Sequence, residues 1–412
     1  MADFFGALTK RRKRRKKIKK AKIAKAQAGM TDEEKLLYRS RLRRKTMIQT
    51  ILLILIFIVA AALGISFIQE RRTYKNYKVE SRSRQEDIVS TGYKEFNGKI
   101  LRYSQTEVAL VDTRMETLWN ATYTMTNPIA DVCGDYAVIA DQDGTVMEIY
   151  NSSGFLGEVT TSYAIVKVTI GSNGLVAAIL NGGDDTWINF YGTDGSLIAE
   201  NQTRIDDPGY PMDVAISNNG QIMMVTYQYV DGNKTTSYVA FYNFGEVGQS
   251  EDDRIVSGYT YEGLVIPEVQ YLKEDRCIAI REDGVILYGG AQIPEEIATI
   301  PVEQEIVSTF YDEEMIGLVF KNEEGKNLYR MDVYNTDGVL KFSKEFNIPY
   351  TQIKVSGGNI LMYNSSQIGV VNNRGITKFS GTIDGTIEDF FKLGSNRYLL
   401  VLDNGVNVIR LS

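Results

Sequence analysis

Short apolar runs recur along the chain after about residue 93, each closed by a polar turn, and one unbroken apolar stretch precedes them. Tyr136-Ala137-Val138-Ile139-Ala140, Ile222-Met223-Met224-Val225 and Tyr398-Leu399-Leu400-Val401-Leu402 are continuous rather than alternating. That pattern predicts strands covered on both faces. The runs repeat with a period of roughly 40 residues, the spacing of propeller blades. A first register is an apolar residue followed by a small turn, as in Phe96-Asn97-Gly98, Val132-Cys133-Gly134 and Val355-Ser356-Gly357, with looser copies at Val168, Val214 and Phe391 and weaker ones near Val269 and Phe310. A second register is Tyr or Val followed by a turn with glycine in its last place: Tyr150 to Gly154, Tyr191 to Gly195, Tyr334 to Gly338 and Val371 to Gly375. Degenerate copies stand at Val111, Tyr242 and Tyr288, and Ile409 holds the eighth place, with intervals of 39, 41, 51, 46, 46, 37 and 38 residues.

Two registers per unit, with an apolar run between them, predict four antiparallel strands per unit. The fold class is therefore all-β, an eight-bladed β-propeller, with seven blades as the alternative. The eighth unit stops at Ser412 after its third strand, so another segment must complete it; Glu86 to Thr91, just ahead of the first inner strand, is the expected closing strand. Such closure removes an exposed sheet edge.

The earlier apolar stretch, Met47 to Ile68, holds 22 residues without a charge. A helix of about 20 such residues crosses a bilayer, so a single transmembrane α-helix is expected. Residues 1–46 carry 18 Lys/Arg against four Asp/Glu, whereas the first 16 residues beyond the stretch carry six basic residues. The basic excess places the N-terminus in the cytoplasm and the body outside. The expected order is a basic cytoplasmic tail (1–46), a transmembrane helix (47–68), a stalk (69–85) and the propeller (86–412). Within the tail, Arg11, Arg12, Lys13, Arg14, Arg15, Lys16 and Lys17 are expected to contact anionic lipid headgroups, at about 1 kcal/mol per charge. Thr31 to Glu34 reads as a capping box opening a helix into the span. No nucleic-acid partner is expected, since the basic run lacks aromatic interleaving and abuts a membrane segment.

Composition narrows the chemistry. The net charge of −6 divides into a tail of +14 and a body of −20, and there is no histidine. Ser-His-Asp and Cys-His catalytic sets and histidine metal sites are excluded. Cys133 and Cys277 lack any metal-binding spacing and read as core residues, a single disulfide being the alternative. Asp141-Gln142-Asp143-Gly144 resembles the start of a calcium loop but lacks the remaining ligands, so a hairpin turn is expected. The acidic pairs Asp184-Asp185 and Asp206-Asp207 read as solvated loops. No metal or cofactor is expected. The irregular stretch Gly245 to Pro267 is the candidate partner surface, through Glu251, Asp252, Asp253, Tyr259 and Tyr261, because long loops on rigid scaffolds carry function.

The turn Val214-Ala215-Ile216-Ser217-Asn218-Asn219-Gly220 resembles the S-P-D-G turn of WD40-like and YVTN-type bacterial propellers, with Asn in place of Pro. The layout of basic tail, one span and Tyr-rich propeller resembles an uncharacterised membrane-anchored propeller family of clostridia and related Firmicutes. That resemblance implies a Gram-positive cell envelope and supplies no catalytic residues. The expected function is a membrane-anchored extracytoplasmic binding or scaffolding module for an envelope protein, peptide or polymer, and not an enzyme. The alternative is a propeller enzyme. Against it, only Trp119 and Trp187 are present where quinone-dependent dehydrogenases repeat a tryptophan motif, and the turns share only Asp and Gly with a glycan-active Asp-box.

Overall fold

The computed structural model describes residues 17, 21, 25, 28–84, 91–183, 185–204, 208–323 and 325–412. They form two compact units, Met1–Arg72 and Thr73–Ser412.

In the first unit, helix α1 (Asp32–Arg71) runs for 40 residues and contains the whole apolar stretch. Its start is the expected capping box: the Thr31 amide donates to Glu34 Oε2 at 2.9 Å and the Glu34 amide to Thr31 Oγ1 at 3.4 Å. These bonds satisfy two amides that the first turn leaves free. Large apolar side chains along it are exposed, Phe57 at 74% and Leu53 at 66% among them. Among the described residues no helix is both long and apolar enough to cross a membrane. Arg11, Arg12, Lys13, Arg14, Arg15 and Lys16 lie outside the described residues, while Lys17 is helical and exposed.

Among the described residues of the second unit, 32 strands make eight four-stranded antiparallel sheets, each built from consecutive strands except the last. This is the expected eight-bladed propeller. Every first-register residue falls in the first strand of its blade, from Phe96 in Gly92–Phe96 to Phe391 in Ile387–Lys392, and every second-register residue in the third. Most second and third strands are buried on both faces, as their continuous apolar runs predict: Ala137, Val138, Ile139 and Ala140 are fully buried, whereas Tyr329–Tyr334 is buried only at Met331 and Val333.

The core is divided into eight apolar clusters, one at each blade-to-blade interface. The second-register residue always packs on the preceding blade, as Tyr150 does on Leu101 and Leu110 of blade 1 and Ile409 on Leu361 and Val370 of blade 7. Opposite that residue the outer strand inserts one extra residue: Tyr191 pairs with Leu197 but Phe190 with Ala199, so Ile198 is unpaired. The same shift recurs in every blade. Such bulges increase local twist and blunt an edge that would otherwise template pairing with another chain. The turn before the bulge demands glycine at Gly195, where φ is +82° and a Cβ would lie 2.3 Å from the Glu158 carbonyl oxygen of blade 2.

The ring closes with a segment ahead of blade 1, but not with the one expected. Strand Tyr77–Arg84 is the outer strand of blade 8, pairing with Gly405–Leu411 from Tyr77 opposite Leu411 to Arg84 opposite Gly405. This corrects both the closing strand and the stalk, because residues assigned to the stalk build the blade. Residues 86–90 of the expected closing strand lie outside the described residues. The physical reason is side-chain fit. Tyr77 and Val79 pack on the blade 7–8 cluster, Tyr77 meeting Phe379 edge-on at 6.4 Å. Between them and the solvent, Glu80 holds Arg397 at 2.8 Å and also Arg410.

Candidate functional site

Two concave regions of the propeller compete as sites. The first is the channel along the axis, lined by first strands, with an open cavity of about 770 Å³ that reaches Tyr93, Tyr311, Gln352, Lys354 and Asp389. Its charged side chains occupy a repeated place that the sequence reading missed. Glu95, Asp131, Lys167, Asp213, Glu268 and Lys354 each stand directly before a first-register apolar residue, and Asp389 directly before Phe390. That alternation of charged and apolar residues at a fixed place in the repeat was the available signal.

These charges are mostly spent on joining blades. Lys354 Nζ and Tyr363 Oη donate to Asp389 Oδ1 at 2.5 and 2.6 Å, linking blades 7 and 8. Tyr311 Oη donates to Glu268 Oε1 at 2.6 Å across blades 5 and 6. Asp131 Oδ2 accepts from the Thr169 hydroxyl and the Ile170 amide of blade 3, both at 3.0 Å. Asp213, 1% exposed, pairs with Lys167 of blade 3 and accepts the Val269 amide of blade 5 at 2.9 Å. Burial pushes the Asp213 carboxyl up, opposed by the Lys167 ammonium. Burial draws the Lys354 ammonium down, opposed by Asp389. A buried charge persists only when it is paired or hydrogen-bonded, and these groups satisfy one another. The channel is therefore primarily a set of interblade latches.

The second region is a groove at the rim between blades 3 and 4. Its origin is a longer hairpin: strands Ile222–Asp231 and Lys234–Asn243 have ten residues each, whereas the second and third strands of other blades have five to seven. Tyr227 lies opposite Tyr238, with Tyr229 two residues along the same strand, so their side chains share one face. The Tyr227 and Tyr238 rings stack at 6.2 Å. A cavity of about 550 Å³ opens there, lined by Asn201, Pro208, Tyr229, Tyr238, Tyr242 and Asp253 among others. An adjoining cleft of about 210 Å³ shares Asn201, Tyr242 and Asp253 and reaches Arg254.

At the floor, the Tyr227 and Tyr242 hydroxyls lie 2.7 Å apart, and Asn201 Nδ2 approaches Tyr242 Oη at 3.5 Å. Burial drives the Tyr227 phenol well above its ordinary value and pushes Tyr242 up to about 12. At the mouth, Asp253 and Arg254 both adopt left-handed backbone, φ 51° and 63°. Two such non-glycine residues in succession cost of order 1–3 kcal/mol each, and strain of this kind clusters at functional sites. Arg254 lies over the Phe244 ring at 5.8 Å, and Phe244 stacks on Phe190 at 4.4 Å.

The predicted partner surface is divided by this arrangement. Gly245 to Pro267 is not one loop: Val247–Ser250 and Asp252–Arg254 are short 3-10 turns, and Ile255–Glu262 is the outer strand of blade 4. Asp253 reaches the groove; Glu251 is exposed beside it, and the Asp252 side chain is not among those described. Tyr259 and Tyr261 face blade 5 instead. The Tyr261 hydroxyl sits 2.6 Å from that of Tyr288, and Tyr259 Oη donates to the Pro294 carbonyl at 3.2 Å. Asp141 to Gly144 forms the expected hairpin turn, Asp141 Oδ1 accepting the Thr126 and Asn127 amides at 2.9 and 2.7 Å. Asp184, Asp206 and Asp207 lie outside the described residues. Cys133 is half-buried and Cys277 buried, and both are free thiols. Among the described residues no group of three or more acidic or cysteine side chains is placed to hold a metal ion.

Residues 70–411 match the family of unknown function DUF5711, and the chain belongs to that family. No curated protein matches it in sequence. Solved structures resemble it in fold. Sqt1 of Saccharomyces cerevisiae is 11% identical, with 83% of this chain and 100% of that one covered at a TM-score of 0.52. The WD40 domain of SCAP from fission yeast is 10% identical, with 82% and 98% covered at 0.50. BamB from Moraxella catarrhalis is 12% identical, with 82% and 100% covered at 0.48. At such identities the likeness to Sqt1 and SCAP is one of propeller fold alone.

Proposed function

We propose that this DUF5711 propeller is a binding or scaffolding module, anchored through its uncharged stretch Met47 to Ile68 in the cytoplasmic membrane of a Gram-positive cell and displayed on its outer side. It holds an envelope protein, peptide or polymer in the groove between blades 3 and 4. The observation that carries the reading is the contrast between the two concavities: the channel's charges are consumed in joining blades, whereas the groove offers tyrosine side chains and a carboxylate beside strained backbone. Anchoring is supported by the 22 uncharged residues Met47 to Ile68 and by the 18 basic residues before them. Binding rather than catalysis is supported by the absence of histidine and by carboxylates that are already engaged.

The test is proximity labelling in a native-type host, with the labelling enzyme fused after Ser412, alongside protease digestion of intact, wall-stripped cells. The reading expects a digestible propeller and labelled envelope proteins. A protected propeller that labels cytoplasmic proteins would overturn it.

A further inference from the structure

The groove's own hydrogen-bonding capacity narrows what fills it, on the premise that the groove is the binding site. Tyr242 is engaged with Tyr227 and Asn201 at the floor. The hydroxyls of Tyr229 and Tyr238 have no hydrogen-bond partner among the described residues. The Asp253 carboxylate is exposed at the mouth and can only accept. A ligand must therefore bring donors to Asp253, both donors and acceptors to two phenols, and flat C–H surface to their rings.

A proline-rich strand lacks amide N–H groups at its prolines and so brings fewer donors to the carboxylate. An apolar ligand would leave all three groups unpaired, at a cost for each. Asp253, Arg254 and Glu200 of the adjoining cleft sum to a formal charge of −1, which disfavours an anionic ligand. A pyranose ring meets every requirement: vicinal hydroxyls donate and accept at close spacing, and its C–H face covers an aromatic ring. The cavity of about 550 Å³ lies within the 300–1,000 Å³ range of small-ligand sites.

We propose that the groove between blades 3 and 4 binds a neutral oligosaccharide, stacked on Tyr229 and Tyr238 and hydrogen-bonded by Asp253. The test is saturation-transfer NMR on the full chain in detergent, with neutral tetrasaccharides of glucose, mannose and N-acetylglucosamine as probes. Transfer to the ring protons of at least one probe is expected. Affinity should fall at least tenfold in Tyr238→Ala and in Asp253→Asn, less in Tyr238→Phe, and remain unchanged in the channel variant Gln352→Ala. Absence of transfer to every probe, or equal transfer in the groove variants, overturns the proposal. A protein cross-linked to the groove without saccharide binding would also overturn it while leaving the binding reading intact.

Discussion

Tyr227 and Tyr242 share a hydrogen bond of 2.7 Å at the floor of the groove, and both phenols are sealed from solvent. Burial lifts Tyr242 from 10.0 to about 12. Below pH 10 the phenol is neutral whether the chain is folded or not. Between pH 10 and 12 the unfolded chain sheds the proton that the folded chain keeps, so stability falls as pH rises. Tyr242 alone should cost about 2–3 kcal/mol by pH 12. Urea unfolding with phenolate absorbance should show Tyr227→Phe/Tyr242→Phe to be less sensitive to alkali than the parent; equal sensitivity would refute this assignment.

Lys167→Met should expose the cost of the interblade latch, since it leaves the Asp213 carboxylate buried without its cation. Breaking a buried pair costs about 3–5 kcal/mol, and the 42% exposure of the Lys167 side chain argues for the lower end, about 3 kcal/mol. Burial already raises the Asp213 pKa. Between its ordinary value and the raised one, the folded chain binds a proton that the unfolded chain does not. The deficit of the variant should therefore shrink as pH falls below neutrality, and denaturant melts at neutral and mildly acid pH will read it.

Ring closure gives a truncation test. A chain beginning at Thr73 retains Tyr77–Arg84 and should melt as the full chain's propeller does; one beginning at Glu86 loses the outer strand of blade 8. Tyr77 and Val79 are half-buried, so losing their burial costs about 1.5–3 kcal/mol, a drop of roughly 3–6 °C in Tm, with an open edge that promotes association. Calorimetry and light scattering on the two chains check both effects.

Gly195→Ala places a Cβ against the Glu158 carbonyl oxygen as well as straining φ, and should cost more than about 2 kcal/mol. Gly98→Ala, with φ +69° and no atom within 4 Å of the new Cβ, should cost about 1 kcal/mol from the backbone alone.

The propeller was legible in the sequence because the blade repeat is written twice per unit, by the residue before each inner turn and by Tyr, Val or Ile in each third strand. Both registers report packing that recurs eight times. Closure was legible in kind and not in position: a strand that makes only one set of pairs needs little more than Tyr77, Val79 and Glu80, and Ile88 and Val89 supply a similar local pattern. The groove was missed because its signal was one of length. The interval of 51 residues from Tyr191 to Tyr242 is the longest, and its surplus lengthens the blade 4 hairpin that carries Tyr229 and Tyr238. That Tyr259 and Tyr261 reach blade 5 was not legible, because a strand tyrosine that packs on the next blade has the same local sequence as one that faces a ligand.

The central claim, that recognition occurs at the rim groove and not in the channel, is tested most directly by site-specific photo-crosslinking of the full chain in a native-type host. The photo-reactive residue replaces Tyr229 in one variant and Gln352 in another. Adducts at position 229, absent at 352, are the predicted result. Adducts at 352 with none at 229 would place recognition in the channel and contradict the account.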